Sequence, residues 1–192
     1  MPITMFDTPI LRWCLKHLSR FFLKLSGWKV SGSLPLDSSC VLIAAPHTSN
    51  WDLVYMLWVS FVLGIPIHWL GKAQIFKFPF KRIMQWMGGI PVDRSQSNNM
   101  VDYAAGLLRD NQNFILVVPP EGTRTNVTYW KTGFYYIAHQ ATVPIYLGFL
   151  DYQKKIGGIG PAVLTTGNFE QDMIAIKSFY QDIQGKYPSL HQ

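Results

Sequence analysis

The sequence predicts a single α/β domain in which a central, mostly parallel sheet is flanked by helices and preceded by an amphipathic helix. Three observations lead there. Short apolar runs bounded by Gly, Pro and polar residues, such as 40–45 and 114–118, have the length of buried strands. Stretches with the helical spacing of apolar residues lie between such runs. The chain has 192 residues, 48% hydrophobic and 15% charged, enough for one sizeable core and too mixed for a multi-span membrane protein. No internal repeat or Gly/Ser linker divides it, so the expected parse is a helical extension over 1–30 and one domain over 31–192.

The extension comes first. On a helix over 11–25, Leu11, Cys14, Leu15, Leu18, Phe21, Phe22 and Leu25 share one face. Arg12, Lys16, His17, Arg20 and Lys24 share the other, interrupted by Trp13 and Leu23. Every charged residue in this stretch is basic. Such a helix can lie in the plane of an anionic membrane surface, or it can pack on the domain with its basic side in water. It carries too many charges to span a bilayer.

Cys40–Ala45 reads as a buried strand, 46–50 as a loop, and Trp51–Leu63 as a helix that Asn50 is placed to cap. That helix is apolar nearly all round, so it is expected to be buried in protein or to dip into lipid. A strand over 66–70 and a helix over 80–87 follow, ending at Gly88-Gly89. Residues 101–109 read as helix, 114–118 as buried strand, 133–139 as helix and 143–149 as strand. A last strand is expected over 161–165, before a helix over 169–184. The pattern does not say whether every strand runs parallel.

Lys and Arg total 17 against 11 for Asp and Glu, a formal charge of +6. That balance suits anionic partners: nucleic acid, anionic lipid headgroups or phosphorylated substrates. Basic residues interleave poorly with aromatics outside the first helix, and no nucleic-acid-binding motif is present, so nucleic acid is not an expected partner. Aromatics at 15%, with seven Trp, suit a bilayer interface as well as an aromatic core. Cys14 and Cys40 have no metal-ligand spacing and read as small buried hydrophobes in a reducing, cytosolic compartment. The N-terminus lacks the order of a signal peptide, so the sequon Asn126-Val127-Thr128 reads as chance.

Three loops carry chemistry. His47 follows a buried strand and Asp52 opens the next helix. A His can take a proton from a hydroxyl near neutral pH, and works best when a carboxylate holds its other ring nitrogen. The bland alternative is a loop His beside a helix-capping Asp. In Gly88-Gly89-Ile90-Pro91-Val92-Asp93-Arg94 the glycines permit a sharp turn and Arg94 offers a fork suited to phosphate. The alternative is a turn entering a strand, with Arg94 paired to Asp93 or solvent. In Pro119-Pro120-Glu121-Gly122-Thr123-Arg124, Arg124 can bind phosphate and Glu121 can accept from a substrate hydroxyl. Gly122 lets backbone N–H groups face a ligand, and Lys131 adds positive charge. An ordinary Pro/Gly turn is the competing reading there.

In order and spacing these blocks resemble the glycerolipid acyltransferase family, which includes glycerol phosphate and lysophosphatidic acid acyltransferases. His47, four residues and Asp52 match its first block, and Gly89–Arg94 the turn ending in Arg. Glu121-Gly122-Thr123-Arg124 match the third, and Val143-Pro144-Ile145 the hydrophobic segment around a Pro. Lys72, Phe76, Pro79, Lys131 and Gly133 also fit, so the resemblance covers about 40–150. It implies an O-acyltransferase, with His47 as general base oriented by Asp52. Arg94 and Arg124, with Glu121, Gly122, Thr123 and Lys131, would bind the acceptor. The donor would be acyl-CoA or acyl-carrier protein, and the acceptor a lysophospholipid, lysophosphatidic acid above all, in phospholipid biosynthesis. No metal or redox cofactor is implied. With the basic first helix, this puts the chain on the cytoplasmic face of an anionic membrane as a peripheral or monotopic protein. The alternatives are a non-catalytic lipid-binding protein, or an acyltransferase for another lysolipid or an amino-acid lipid. His68, in an apolar run, and His139, on a helix, are expected to be structural.

Overall fold

A computed structural model describes residues 3–35, 37–92, 97–122 and 130–187. In chain order the elements are α1 (Pro9–Leu25), β1 (Lys29–Ser31), β2 (Cys40–Ala45), α2 (Trp51–Leu63), β3 (Ile67–Lys72) and a short 3-10 turn (Ala73–Phe76). Then come α3 (Lys81–Trp86), β4 (Gly89–Val92), α4 (Ser97–Asp110), β5 (Ile115–Val118), α5 (Gly133–Ala141), β6 (Ile145–Asp151), β7 (Ile156–Val163) and α6 (Phe169–Tyr180). Among the described residues, the strands form one seven-stranded sheet in the order β1-β7-β6-β2-β5-β3-β4. Every pairing is parallel except β6 with β7.

Alternation along the central strands divides the core in two. Val41, Ile43 and Ala45 of β2 and Leu116 of β5 face Ala104, Leu108, Phe134 and Ile176 of the helices α4, α5 and α6. Cys40 and Leu42, with Ile115 and Val117, face the other way, toward Phe61 of α2, Ile65 and Phe6. Val41, Ile43, Leu116, Ile145 and Ile176 are fully buried, each contributing roughly 1.5–3 kcal/mol. A polar latch ties α6 to α5. Tyr135 Oη donates to Asp172 Oδ2 (2.8 Å), which also accepts from the Thr166 N–H (2.7 Å), while Thr166 Oγ1 donates to Oδ1 (3.0 Å). Burial alone would push the Asp172 carboxyl up, but these donors hold it below its ordinary value.

Three strands escape the sequence reading. β1 is only three residues long, β4 lies in the stretch read as a Gly-Gly turn, and β7 begins at Ile156 rather than 161. β7 opens with Ile156-Gly157-Gly158-Ile159-Gly160, a composition that reads as loop. The glycines serve close approach instead: a Cβ on Gly158 would lie 2.0 Å from the Ser31 carbonyl oxygen of the paired strand.

The faces of α1 also differ from expectation. The buried residues are Ser19 and Leu23, the latter an interruption of the polar side in the sequence reading, with Leu11 and Leu15 partly buried. Ile10, Leu18, Phe21 and Leu25 point outward, Leu25 at 73% exposure. Cys14 is exposed with them, whereas Cys40 is buried and its thiol pushed up to about 12 by burial. The apolar stripe of α1 is therefore wider than the contact it makes with α2. The apolar α2 lies between α1 and the sheet, in protein rather than bare to solvent. No described helix is long and apolar enough to cross a membrane. His68 stacks on Phe114 (4.4 Å between centroids), and burial pulls its imidazole toward the neutral form. His139 Nδ1 lies 3.0 Å from Thr165 Oγ1.

Candidate active site

The parallel order places the C-terminal ends of β6, β2 and β5 side by side. Ligand-facing loops of α/β folds gather at such ends. The loop after β2 is closed by Asp52. Its Oδ2 accepts the N–H groups of Thr48 and Ser49 (both 2.8 Å), so the first turn of α2 folds back on the residues before it. The same oxygen lies 3.2 Å from His47 Nδ1. Asn50 makes no side-chain cap, contrary to the sequence reading. Ser49 Oγ instead accepts the Trp51 N–H at 3.1 Å, because Asp52 holds the loop in a turn that brings Ser49 over the helix end.

Asp52 is nearly buried at 6% side-chain exposure and His47 retains 27%. With Nδ1 on the carboxylate, Nε2 is the nitrogen available to a substrate. The carboxylate is anchored on its other side as well: Tyr152, directly after β6, donates its hydroxyl to Asp52 Oδ1 at 2.7 Å.

Glu121, after β5, is buried, and its Oε2 accepts the His47 N–H at 2.9 Å. The task the geometry displays for it is to hold the His47 loop against the neighbouring strand end. Gly122 has φ +66°, and a Cβ there would lie 2.8 Å from the Lys131 side chain. The Lys131 N–H also donates to the Pro120 carbonyl (2.7 Å), so Lys131 is packed on this turn. Arg94, Thr123 and Arg124 lie outside the described residues, as does the Asn126 sequon. The sequence reading missed Tyr152, a hundred residues from Asp52. Its position just past a strand end was the only signal. Among the described residues, no three His, Cys, Asp or Glu side chains gather as a metal group would.

His47, Asp52 and Gly122 line a cavity of about 420 Å³ between α2 and the sheet. The rest of its wall is mostly apolar, with Leu42, Leu53, Met56, Leu63, Ile67 and Ile159 among its residues. Lys72 and the half-exposed Ile75 line it too, from the segment after β3. An apolar cavity with a few convergent polar groups is built to take a hydrophobic ligand and present one end of it to chemistry.

Comparison with known proteins speaks to the family and the fold. A 1-acyl-sn-glycerol-3-phosphate acyltransferase of Haemophilus influenzae is 30% identical over 132 residues, 63% of this chain and 53% of that protein. The chain thus spans about half the length of that curated relative. The crystal structure of the 1-acyl-sn-glycerophosphate (LPA) acyltransferase PlsC from Thermotoga maritima aligns with a TM-score of 0.61 at 15% identity. That alignment covers 91% of this chain and 82% of the other, and it speaks to the fold. The acyltransferase family model matches residues 27–146, a span that holds His47, Asp52, Glu121, Gly122 and Lys131, and the chain belongs to the acyltransferase family.

Proposed function

We propose that the chain transfers a fatty acyl group from a thioester, acyl-CoA or acyl-carrier protein, to the free hydroxyl of lysophosphatidic acid. The observation that carries this reading is the Nδ1-anchored His47 on the wall of a mostly apolar cavity. Nε2 of His47 takes the hydroxyl proton as the oxygen attacks the thioester carbonyl. Asp52 stabilises the imidazolium that forms. The tetrahedral intermediate collapses with cleavage of the C–S bond, and the imidazolium returns its proton to the departing thiolate. His47 serves as base and then acid, so the step balances without a covalent acyl-enzyme, a metal or a redox cofactor. The apolar wall suits the acyl chain. Lys131, packed on the Gly122 turn, supplies positive charge for the acceptor phosphate, and Arg94 and Arg124 are assigned to it by the family pattern. The names of the two relatives support the choice of acceptor.

The same reading places the enzyme on the cytoplasmic face of an anionic membrane. The outward stripe of α1 supports this, flanked by Arg12, Arg20 and Lys24. A second surface supports it too. Phe78 is 96% exposed, and Phe80 and Ile83 stand out beside it among Lys77, Lys81 and Arg82. No acidic residue occurs from 53 to 92. The Met5 N–H donates to the Trp86 carbonyl (2.8 Å), which ties this surface to the segment leading into α1.

The decisive experiment follows thiol release from palmitoyl-CoA and palmitoyl-carrier protein with lysophosphatidic acid as acceptor, for wild type and His47→Ala. Release that needs both the acceptor and His47 is the expected result. Activity of His47→Ala above a few per cent of wild type would overturn the base assignment.

A further inference from the structure

The Asp52 carboxylate is held from both oxygens. Oδ2 has the N–H groups of Thr48 and Ser49 and the His47 ring, whereas Oδ1 has the Tyr152 hydroxyl. The distinction matters because the torsion that turns a carboxylate plane is broad and roughly two-fold. Anchoring one oxygen leaves the plane free to swing, and with it the direction in which Oδ2 meets His47. Anchoring both fixes it.

Tyr152 is itself firmly placed. Its N–H donates to the Gln184 carbonyl at 2.9 Å. The preceding Asp151 accepts the N–H groups of Gln153 and Lys154 (both 3.0 Å), which shapes the turn between β6 and β7. Trp28 meets its ring edge-on at 4.9 Å, and Tyr55, one turn beyond Asp52 on α2, meets it at 5.7 Å. Trp28 and Tyr55 stack on each other at 4.3 Å. These rings pack against the half-buried Tyr152, whose hydroxyl sits on Asp52 Oδ1. Burial first, and then the hydrogen bond to Asp52 and its charge, push this phenol well above its ordinary value, so it stays a neutral donor.

We propose that Tyr152 is a positioning residue for acyl transfer, its hydroxyl fixing the plane of the Asp52 carboxylate and through it the imidazole of His47. This rests on the acyl-transfer reading of the His47–Asp52 pair. It adds a third member to that pair, drawn from the end of the neighbouring strand β6. The hydroxyl also takes up part of the carboxylate's charge.

The test compares Tyr152→Phe with wild type. The ring and its packing stay and only the hydroxyl goes. A hydrogen bond to a charged group is worth enough to predict a fall in kcat of about tenfold, with KM changed less than about twofold. Histidine labelled with ¹⁵N gives a readout independent of turnover. The His47 Nδ1 resonance, identified by its loss in His47→Ala, should shift in Tyr152→Phe at a fixed pH. In an Asp52→Asn background, Tyr152→Phe should add less than about twofold to the loss. Wild-type kcat, an unmoved His47 resonance, or full additivity of the two substitutions would each overturn the positioning role. If His47→Ala kept its activity, the acyl-transfer reading would fail instead, and the Nδ1 resonance would still decide whether Tyr152 acts on His47.

Discussion

Replacing Asp52 by Asn exchanges one oxygen for an NH₂ and removes the charge, and the surroundings of this side chain say how much each change matters. An amide oxygen in the place of Oδ2 still accepts the Thr48 and Ser49 N–H groups and a proton on His47 Nδ1. The NH₂ then faces Tyr152, whose hydroxyl can rotate to accept instead of donate. Every hydrogen bond of the loop thus survives, and Tm should fall by no more than a few degrees. The charge does not survive. At the 3.2 Å separation of Nδ1 and Oδ2, a full imidazolium–carboxylate pair is worth about 5 kcal/mol at an effective dielectric constant near 20. Only part of the imidazolium charge has developed in the transition state, and the ring is 27% exposed, so about 3–4 kcal/mol is the fair expectation. That corresponds to a fall in kcat of roughly two to three orders of magnitude, with KM for the acceptor little changed. Initial rates of thiol release across acceptor concentrations, beside thermal unfolding of both proteins, measure it. An Asn variant within about fivefold of wild type, folded and stable, would refute electrostatic stabilisation of His47 and leave Asp52 as a loop fastener.

Other outcomes follow from neighbouring contacts. Glu121→Gln keeps an oxygen for the His47 N–H and should lose about fivefold in kcat, whereas Glu121→Ala leaves that donor unmatched and should lose about thirtyfold or more, read by the same rate assay. Ile10→Ser with Leu18→Ser and Leu25→Ser on the outward face of α1, or Phe78→Ser with Ile83→Ser beside α3, should each weaken co-sedimentation with phosphatidylglycerol-rich vesicles by severalfold while leaving Tm within a few degrees. Asp172→Ala removes the acceptor for Tyr135 and Thr166 and should lower stability by about 2–4 kcal/mol in denaturant titration. The Asp172 carboxyl is held below its unfolded value. Its contribution is therefore full above the ordinary carboxylate range and drains away as pH falls through it, and Asp172→Asn should flatten that acid side of the stability profile.

The central fold was legible because its strands are long and apolar. β2 and α2 fall on the residues that the hydrophobic run and the helical spacing mark out. The misses have a common cause: each depends on what the segment packs against. β7 needs glycine where its backbone meets β1, and propensity reads that glycine as loop. On α1 the stripe 11–25 was recognisable, but a helix with apolar residues over more than half its girth does not say which part is covered. Leu23 found α2 while Leu25 did not. The 3-10 turn with Phe76 under Trp69 is similarly a tertiary product, since the buried phenylalanine and the exposed Phe78 are alike in sequence.

The site divides along the same line. His47 and Asp52 were legible because a single local turn joins them, and the bonds that close it run over three and four residues. Glu121 was legible as a motif but not as a neighbour of His47, and Tyr152 was not legible at all. What the sequence lacks is the strand order. Once β6, β2 and β5 are known to be adjacent, the residues just past their ends are forced together: 46–52 after β2, 119–122 after β5 and Tyr152 after β6. The parallel register then makes one corner from three distant segments. The outer two brace the middle one, Glu121 through the His47 backbone and Tyr152 through the Asp52 carboxylate. A His on a six-residue turn would otherwise depend on that turn alone for its orientation. The sheet supplies the rigidity from both sides, which is why the chemistry can be local in sequence while its geometry is not.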